Sequence, residues 1–598
     1  MNQIESLLLK IKEIIKLELI RVSGDALSLE SIKINFDIPE LTHGDYMTNA
    51  AMMYAKELSM RPTDLAMILT EKIKEVNGIE SAEVAGAGFI NIYLKSEIIR
   101  SAIQNIGEIK TKYTDKKVLV EHTSINLFKP FSIGHLINNI EGEFISRSLR
   151  AGGADVRTIC FPSDISLGIA KAIYVIKKDG GIFGALISKF NNEGISYLGD
   201  TYRRGVAEYD DHPEIQNEVK EIANDLFNYV GENYEIYETA KSYNLEYFQS
   251  FLKEINSGFD LDPIYESEAG LCGVRIVKDH TGEGKVFYKS EGAIVYTPDE
   301  SRKDIHTGVF INSEGHPTYE AKDLGLIDLK FYNISNFKPD LSITITDVEQ
   351  IQHFKLVLAA YEEVLINQGL SKINAKLEVD KNIHVPHGRM LFKGQKMSSR
   401  LGGVPLAEQV IETIKDEVKE RMGEADRLSD MGIKDKEVIA KEIALSSLRI
   451  AVLRAKPGIN INFDPATSLS FEGDSGPYLL YTHARCVSLI EKSKVDILKL
   501  EQYLCFIKNQ KQISITNLEK TLMHYNEILL HSIEETAPQK LVAYLFSLAR
   551  EFNSLYAGTI FISDDIETTE HYMQIIFWTK EVLRNALYIL GVKAVDKM

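Results

Sequence analysis

The stretch from Val118 to Gly142, V-L-V-E-H-T-S-I-N-L-F-K-P-F-S-I-G-H-L-I-N-N-I-E-G, constrains the fold of this chain more than any other. Val118, Leu119 and Val120 form a short apolar run suited to a parallel strand buried on both faces. Beyond a glycine-containing turn, Leu136, Ile140, Phe144, Ile145 and Leu149 recur at helical spacing, and Gly152-Gly153 stops the helix. Val156 to Phe161 reads as the next strand. A strand–helix–strand unit of this kind sets a helix N-terminus, with unpaired N–H groups and the positive dipole end, just past a strand's carboxyl end. Phosphates bind readily there. The expected class is therefore α/β.

Within that unit, S-I-G-H occupies Ser132 to His135. Gly134 lets a phosphate or purine approach the backbone, and His135 is placed to donate to phosphate oxygens from the first helical turn. Taken alone, a Gly-His pair before a helix is unspecific. The tetrapeptide resembles the H-x-G-H signature of class I aminoacyl-tRNA synthetases, with Ser132 where the signature has its first histidine. The preceding T-S-I-N-L-F-K-P-F is similar to the lead-in of arginyl-tRNA synthetases. The resemblance implies ATP binding by Ser132, Gly134 and His135, with Ser132 and His135 taking part in catalysis. A hydroxyl still donates, but without an imidazole's reach or charge.

Composition sets the outer bounds. At 598 residues the length suggests about three to five domains. The four cysteines are far apart and form no C-x-x-C pair, which argues against a zinc ribbon or disulfide framework and fits a reducing cytosol. The N-terminal helix pattern is interrupted by charge, unlike a secretory signal, and no run of about 18 apolar residues exists to span a membrane. A formal charge of −18 points away from indiscriminate nucleic-acid binding, so any RNA contact must rest on local patches.

Residues 1–112 read as an α+β unit. Ile4, Leu7, Leu8, Ile11, Ile14, Ile15 and Leu19 mark one helix face; Asn49 to Leu58 and Pro62 to Val76 read as helices; Ala85 to Leu94 reads as a glycine turn feeding a strand. H-G-D-Y-M-T-N-A-A-M and A-G-A-G-F-I-N resemble the additional domain with which arginyl-tRNA synthetases grip the tRNA elbow. That resemblance implies that Phe89 and Asn91 contact the D-loop, one stacking and one bonding a base edge. From the residues alone, Phe89 reads as core.

Residues 113–430 would be the Rossmann catalytic domain, with a charge-rich helical insertion at about 180–290 ending in short strands around Lys285 to Tyr296. Asp164 is kept where the family usually has G-D-W-G, without the flanking glycine and tryptophan. Tyr319 and Asp323 are four apart and share a helix face, and Asp340 to Gln350 reads as a strand with a polar end. By resemblance, Asp323 and Tyr319 hold a guanidinium with Gln350 and Glu121 assisting, while Ser124 and Asn126 take the α-amino and carboxyl end. Paired carboxylates suit that planar fork of N–H donors; from the residues alone each carboxylate reads as a surface group. K-G-Q-K-M-S-S-R, from Lys393 to Arg400, resembles the K-M-S-K loop. Lys396, Met397 and Ser398 would bind ATP, with Lys396 catalytic. Ser399 replaces the second lysine, leaving Arg400, and Lys393 beside it, to supply charge.

From about 432 the pattern is helical throughout and resembles, string by string, the anticodon-binding bundle of arginyl-tRNA synthetases, residues 431–598. Tyr478, Tyr481 and Arg485 share a face suited to unpaired bases; family resemblance adds Tyr556 and Met598. Bundle core is the alternative for such stripes. The whole resemblance implies a cytoplasmic, monomeric ligase that uses ATP with Mg²⁺, L-arginine and tRNA(Arg). The rivals are a relative that has lost catalysis and only binds RNA, and a nucleotidyl transferase without a tRNA partner.

Overall fold

The computed structural model describes residues 3–24, 28–107, 109–180, 184, 192–299, 301–333, 337–392, 395–396, 406–424, 432–496 and 514–598. Its organising element is a four-stranded parallel sheet in the order Asn382–His387, Leu341–Asp347, Lys117–Glu121, Asp155–Ile159. The first strand's chain leaves through the helix Ile133–Ala151 and returns on one side. The second half of the domain lands on the other side. That reversal opens a crevice at the carboxyl ends of Lys117–Glu121 and Leu341–Asp347.

The apolar run behaves as its composition demands. Val118, Leu119 and Val120 have no exposed surface. Val118 and Val120 join the main core, whereas Leu119 packs with Ile159 and Phe337 in a separate cluster. Both faces of the strand are therefore covered, which is why it reads as a continuous hydrophobic run rather than an alternating one. The Ile133–Ala151 helix is buried along most of its length, enclosed by the sheet on one side and by the C-terminal helices Ile433–Leu453 and Ile566–Ile589 on the other. A Cβ at Gly142 would sit 2.3 Å from the His122 side chain, so only glycine lets the helix lie this close to the first strand.

The N-terminal unit is a three-stranded antiparallel sheet, Tyr46–Thr48, Phe89–Leu94, Ile79–Ala85, flanked by the helices Gln3–Ser23, Pro62–Lys74 and Ser96–Gln104. The helix expected over Asn49 to Leu58 is shorter, Ala50–Tyr54. The chain turns there because Ser59 takes a left-handed conformation and the Met60 N–H donates back to the Ala55 carbonyl. The insertion contributes the helices Asn192–Asp211, Gln216–Asn228, Gly231–Glu254 and Glu266–Asp279, then a small antiparallel sheet, Tyr288–Ser290, Ala293–Tyr296, Gly308–Ile311. Asp164 fastens the insertion. Fully buried, it accepts from the Tyr237 hydroxyl at 3.2 Å and from the Ser267 N–H and hydroxyl at 2.9 and 2.7 Å.

Among the described residues, the C-terminal region departs from the expected all-helical pattern at Ile461–Phe463. Gly458, with φ of +83°, breaks the chain after Pro457, and Ile461–Phe463 forms a strand parallel to Met390–Phe392. Ile461 and Phe463 point inward around an exposed Asn462, a period of two within a helical context. The remaining helices, Ile433–Leu453, Gly476–Ser493, Asn517–Met523, Tyr525–Glu534, Pro538–Gly558 and Ile566–Ile589, make a bundle.

Candidate active site

Ser132 is the N-cap of the helix that opens the crevice. Its hydroxyl accepts from the His135 N–H at 3.4 Å, and its own N–H donates to His135 Nδ1 at 3.2 Å, a reciprocal cap. With Nδ1 accepting, the neutral ring carries its proton on Nε2, which lies 3.5 Å from Asn126 Nδ2, a second donor that leaves this proton untaken. The ring keeps some solvent access. The protein packed around it, followed by the charges of Lys129 and His387, nevertheless pushes its pKa down to about 4. At neutral pH His135 is therefore an uncharged N–H donor aimed along the crevice.

Between Glu121 and Ser124 the backbone is strained. Thr123 is β-branched yet has φ of +56°, a conformation costing about 1–3 kcal/mol unless its surroundings enforce it. The enforcement is visible. Its N–H donates to Asn138 Oδ1 at 2.5 Å, its hydroxyl receives Asn139 Nδ2 at 3.1 Å, and its carbonyl takes the Cys160 thiol at 3.2 Å. Asn138 also donates to the Ile345 carbonyl at 2.6 Å, tying the helix to the strand across the crevice.

Glu121, buried at the end of the first strand, pairs with the buried ammonium of Lys330. Lys330 also donates to Thr344 Oγ1 at 2.9 Å, Thr344 donates to Glu121 Oε2 at 3.2 Å, and the Ser124 hydroxyl reaches Oε1 at 3.4 Å. Asp323 bonds His353 Nε2, whose Nδ1 is 3.8 Å from Glu320. Burial disfavours the imidazolium, yet Asp323 and Glu320 overcome it and raise the His353 pKa to about 9. Asp323, Lys330, Thr344, Phe354 and His384 line one narrow cavity. Asp323 thus shares this cavity with Lys330 and Thr344, and these two in turn hold Glu121 behind them. Each of the two carboxylates already faces an internal cation. Tyr319 and Gln350 do not line that cavity. Tyr319 is 65% exposed, one turn before Asp323, with Lys322 Nζ 5.3 Å from its ring, and Gln350 is exposed at the end of a short 3₁₀ turn, Val348–Gln350.

Lys396 ends the short strand Gln395–Lys396, antiparallel to Met390–Phe392. Lys393, Met397, Ser398, Ser399 and Arg400 lie outside the described residues. The exit from that segment is defined: Leu406 bridges to Ser132, and the Ala407 N–H donates to the Phe131 carbonyl at 2.9 Å. The chain leaving the second signature is stitched to the first.

Of the residues suggested for RNA, Phe89 is half-buried at the start of its strand, and Asn91 is buried within it. On the bundle, the Arg485 guanidinium lies 4.5 Å from the ring centres of both Tyr481 and Tyr556. It donates to the Tyr481 hydroxyl at 2.6 Å and to Asn553 Oδ1 at 2.8 Å, while Asn553 Nδ2 reaches the Tyr478 hydroxyl at 3.0 Å. These four residues converge through Asn553. Met598 packs partly buried on the core, in a tail held by His483 Nδ1 on the Val595 carbonyl at 2.9 Å.

Sequence reasoning overlooked Lys330, His353, Thr344 and the Asn138-Asn139 pair. Two adjacent amides in an apolar helix were themselves a signal.

Comparison with known proteins places these elements. Residues 9–94 match the arginyl tRNA synthetase N terminal domain, residues 98–464 the catalytic domain of class I (R) tRNA synthetases, and residues 479–598 the DALR anticodon binding domain. The chain is 28% identical over 592 residues to an arginine–tRNA ligase of Borreliella burgdorferi, covering 96% of both, and 26% identical to that of Thermococcus sibiricus, covering 95% of both. Its fold superposes on Thermus thermophilus arginyl-tRNA synthetase with a TM-score of 0.74 at 22% identity, over 98% of this chain and 99% of that one. The Plasmodium falciparum arginyl-tRNA synthetase gives 0.75 at 19% identity, over 98% of both chains. The catalytic-domain match alone spans more than half of the sequence, and the chain belongs to the arginyl-tRNA synthetase family of class I tRNA synthetases.

Proposed function

We propose that this chain is an arginine–tRNA ligase: it joins ATP and L-arginine into arginyl-adenylate, releasing pyrophosphate, and passes the arginyl group to the terminal ribose of tRNA(Arg), releasing AMP. The observation that carries this reading is the cavity that Asp323 lines together with Lys330 and Thr344, the two residues that hold Glu121. A guanidinium entering it meets carboxylates already arranged for cations, sharing or displacing Lys330 and His353. An amino acid without that charge leaves the cluster unimproved, which makes a separate editing site unnecessary.

In this reading Asp323 and Tyr319 hold the guanidinium, Gln350 and Glu121 assist, and Ser124 and Asn126 take the α-amino and carboxyl end. The substrate carboxylate attacks the α-phosphorus in line, so no side chain is a covalent nucleophile. Neutral His135 donates from Nε2 to phosphate oxygen without the desolvation cost of a buried charge. Ser132 and Gly134 complete the ATP side, and Lys396, Met397, Ser398 and Arg400 meet the β- and γ-phosphates. Mg²⁺ arrives as part of the ATP substrate and spreads the same charge. Residues 1–112, through Phe89 and Asn91, take the tRNA elbow. The catalytic unit spans 113–430, and 431–598 takes the anticodon through Tyr478, Tyr481, Arg485, Tyr556 and Met598. The ligase works as a cytoplasmic monomer.

A charging assay with each of the twenty amino acids and tRNA tests the assignment. Arginine alone should be attached, and arginine- and tRNA-dependent ATP–pyrophosphate exchange at background would favour a silent RNA-binding relative instead. Asp323→Ala should lower kcat/KM for arginine by about 10³-fold while leaving tRNA affinity within about threefold; joint loss of both counts against the assignment.

A further inference from the structure

The strained Thr123 turn is held from a distance. Asn139 Nδ2, which grips the Thr123 hydroxyl at 3.1 Å, also donates to the Ser257 hydroxyl at 2.7 Å. Ser257 donates to Glu143 Oε1 at 2.5 Å, and Glu143 Oε2 accepts from Arg147 Nε at 2.8 Å. Of the other two guanidinium nitrogens of Arg147, Nη2 donates to the Asn256 carbonyl just past the insertion's long helix, at 2.7 Å, and Nη1 leaves the domain for the Tyr588 carbonyl on the last helix of the C-terminal bundle, at 3.1 Å. The Tyr588 ring lies 5.0 Å from the same guanidinium. Asn139 gives both protons of its amide, one to Ser257 and one to Thr123, Ser257 gives its single proton to Glu143, and Arg147 donates to Glu143 and to the bundle, so every bond in the chain pairs a donor with an acceptor. Arg147 and Glu143 are largely buried, with side chains 12% and 9% exposed, so the bonds from Arg147 inward to Ser257 do not compete freely with water, while the one to Tyr588 lies at the surface. Arg449 of the bundle helix Ile433–Leu453 closes the same junction by donating to the Ile255 carbonyl.

We propose that Glu143 and Arg147 are positioning residues for the amino-acid half of the crevice, through which the seating of the C-terminal bundle sets the Thr123 turn and with it Glu121 and Ser124. Rotation of the Ile566–Ile589 helix moves the Tyr588 carbonyl, and a planar guanidinium held at three points follows as a rigid body. The ATP half does not depend on this chain of bonds, since the Ser132–His135 cap is local to the helix start. This inference rests on the arginine–tRNA ligase reading for its kinetic arm only.

Arg147→Met in the full chain separates the possibilities. In ATP–pyrophosphate exchange the KM for arginine should rise about tenfold with the KM for ATP within about twofold. Arg150→Met, one turn on and bonded to Asp260 instead, should leave both unchanged. In the Thr123→Gly background, where the left-handed conformation carries no penalty, Arg147→Met should add about twofold or less. Equal rises in both KM values, or additive effects, overturn the proposal. Hydrogen exchange by mass spectrometry, with no substrate present, gives the second measurement: residues 121–126 should exchange about fivefold faster in Arg147→Met, with Leu341–Asp347 unaltered. Unchanged exchange there overturns the relay whatever the substrate is. Wild-type protein without arginine-dependent exchange overturns the ligase reading and leaves the relay to be judged by this arm.

Discussion

At the scale of single residues, the pocket's charges are balanced before any substrate arrives, and the balance depends on protonation. His353 sits between Asp323 and Glu320 with its side chain 14% exposed, and the two carboxylates raise its pKa to about 9 against the desolvation that opposes it. The other titratable ring facing this group, His384, is driven by burial and by the His353 and His387 charges to about 4, so it stays neutral and contributes no competing charge at pH 7. A histidine whose folded pKa lies above its unfolded value stabilises the fold fully below the unfolded pKa. It loses that contribution as pH climbs through the folded one. His353→Gln should therefore cost about 3 kcal/mol of unfolding free energy at pH 6, and the gap from wild type should close between pH 6.5 and 10. Urea denaturation across that range checks it, and a gap that widens with pH contradicts the assignment. By contrast, the exposed pair Arg61–Asp64, with side chains 81% and 40% exposed, should contribute little, because water screens it. Ser132 is legible at this scale too: where the family has histidine, this chain has one of the better N-cap residues, and its hydroxyl caps the helix.

Between elements, the helix that carries Asp323 is positioned by backbone contact at its crossing and by the buried Lys322–Glu266 pair at 2.6 Å beside it. A Cβ on Gly273 would lie 1.8 Å from the Ala321 carbonyl oxygen, and one on Gly325 would lie 2.0 Å from that of Ala269. The helices Glu266–Asp279 and Tyr319–Asp328 therefore cross with nothing between them. Gly273→Ala must push the second helix outward, at a cost of about 1–3 kcal/mol in stability, and it carries Asp323 with it. The expected kinetic result is a several-fold rise in the KM for arginine with the KM for ATP unaffected, and equal changes in the two would show that the crossing does not position the pocket. The continuous apolar run Val118–Val120 and the apolar repeat of the Ile133–Ala151 helix were legible because burial dictates residue type. The crossing was not, because glycine in a helix pattern signals only a weakened helix until the neighbour is known. The Lys330 pairing was hidden for a related reason. Its backbone widens into a π-helical turn, Leu329–Asn333, which shifts the side chain off the regular helical spacing.

Across the whole molecule, the two units read as gripping RNA touch each other directly. Arg100 of the N-terminal unit pairs with the fully buried Glu519 of the bundle at 3.2 Å, Asp45 pairs with Lys520 at 3.2 Å, and the Tyr46 hydroxyl donates to Glu527 at 2.9 Å. Asn526 spans the same seam, accepting from the Gly107 N–H at 2.8 Å and donating to the Asn105 carbonyl at 2.7 Å. Partners some four hundred residues apart leave no trace in local sequence pattern, so the contacts that assemble the regions could not be read from the sequence. The order of the regions was legible; the seam that joins the first to the last was not. Its chemistry implies rigidity, because a buried ion pair that loses one partner strands the other charge in a low dielectric. In Arg100→Met, Glu519 keeps the Thr516 N–H and hydroxyl, at 2.8 and 3.0 Å, but loses its cation across the seam. The variant should unfold about 3 kcal/mol more easily in urea, with the N-terminal unit released first. Its dissociation constant for tRNA should rise about three- to tenfold, since elbow and anticodon would no longer be presented at a fixed separation. Arginine activation at saturating tRNA should be unchanged. If tRNA affinity holds while the urea transition shifts, the seam contributes to folding alone, and the two units do not act as a single clamp.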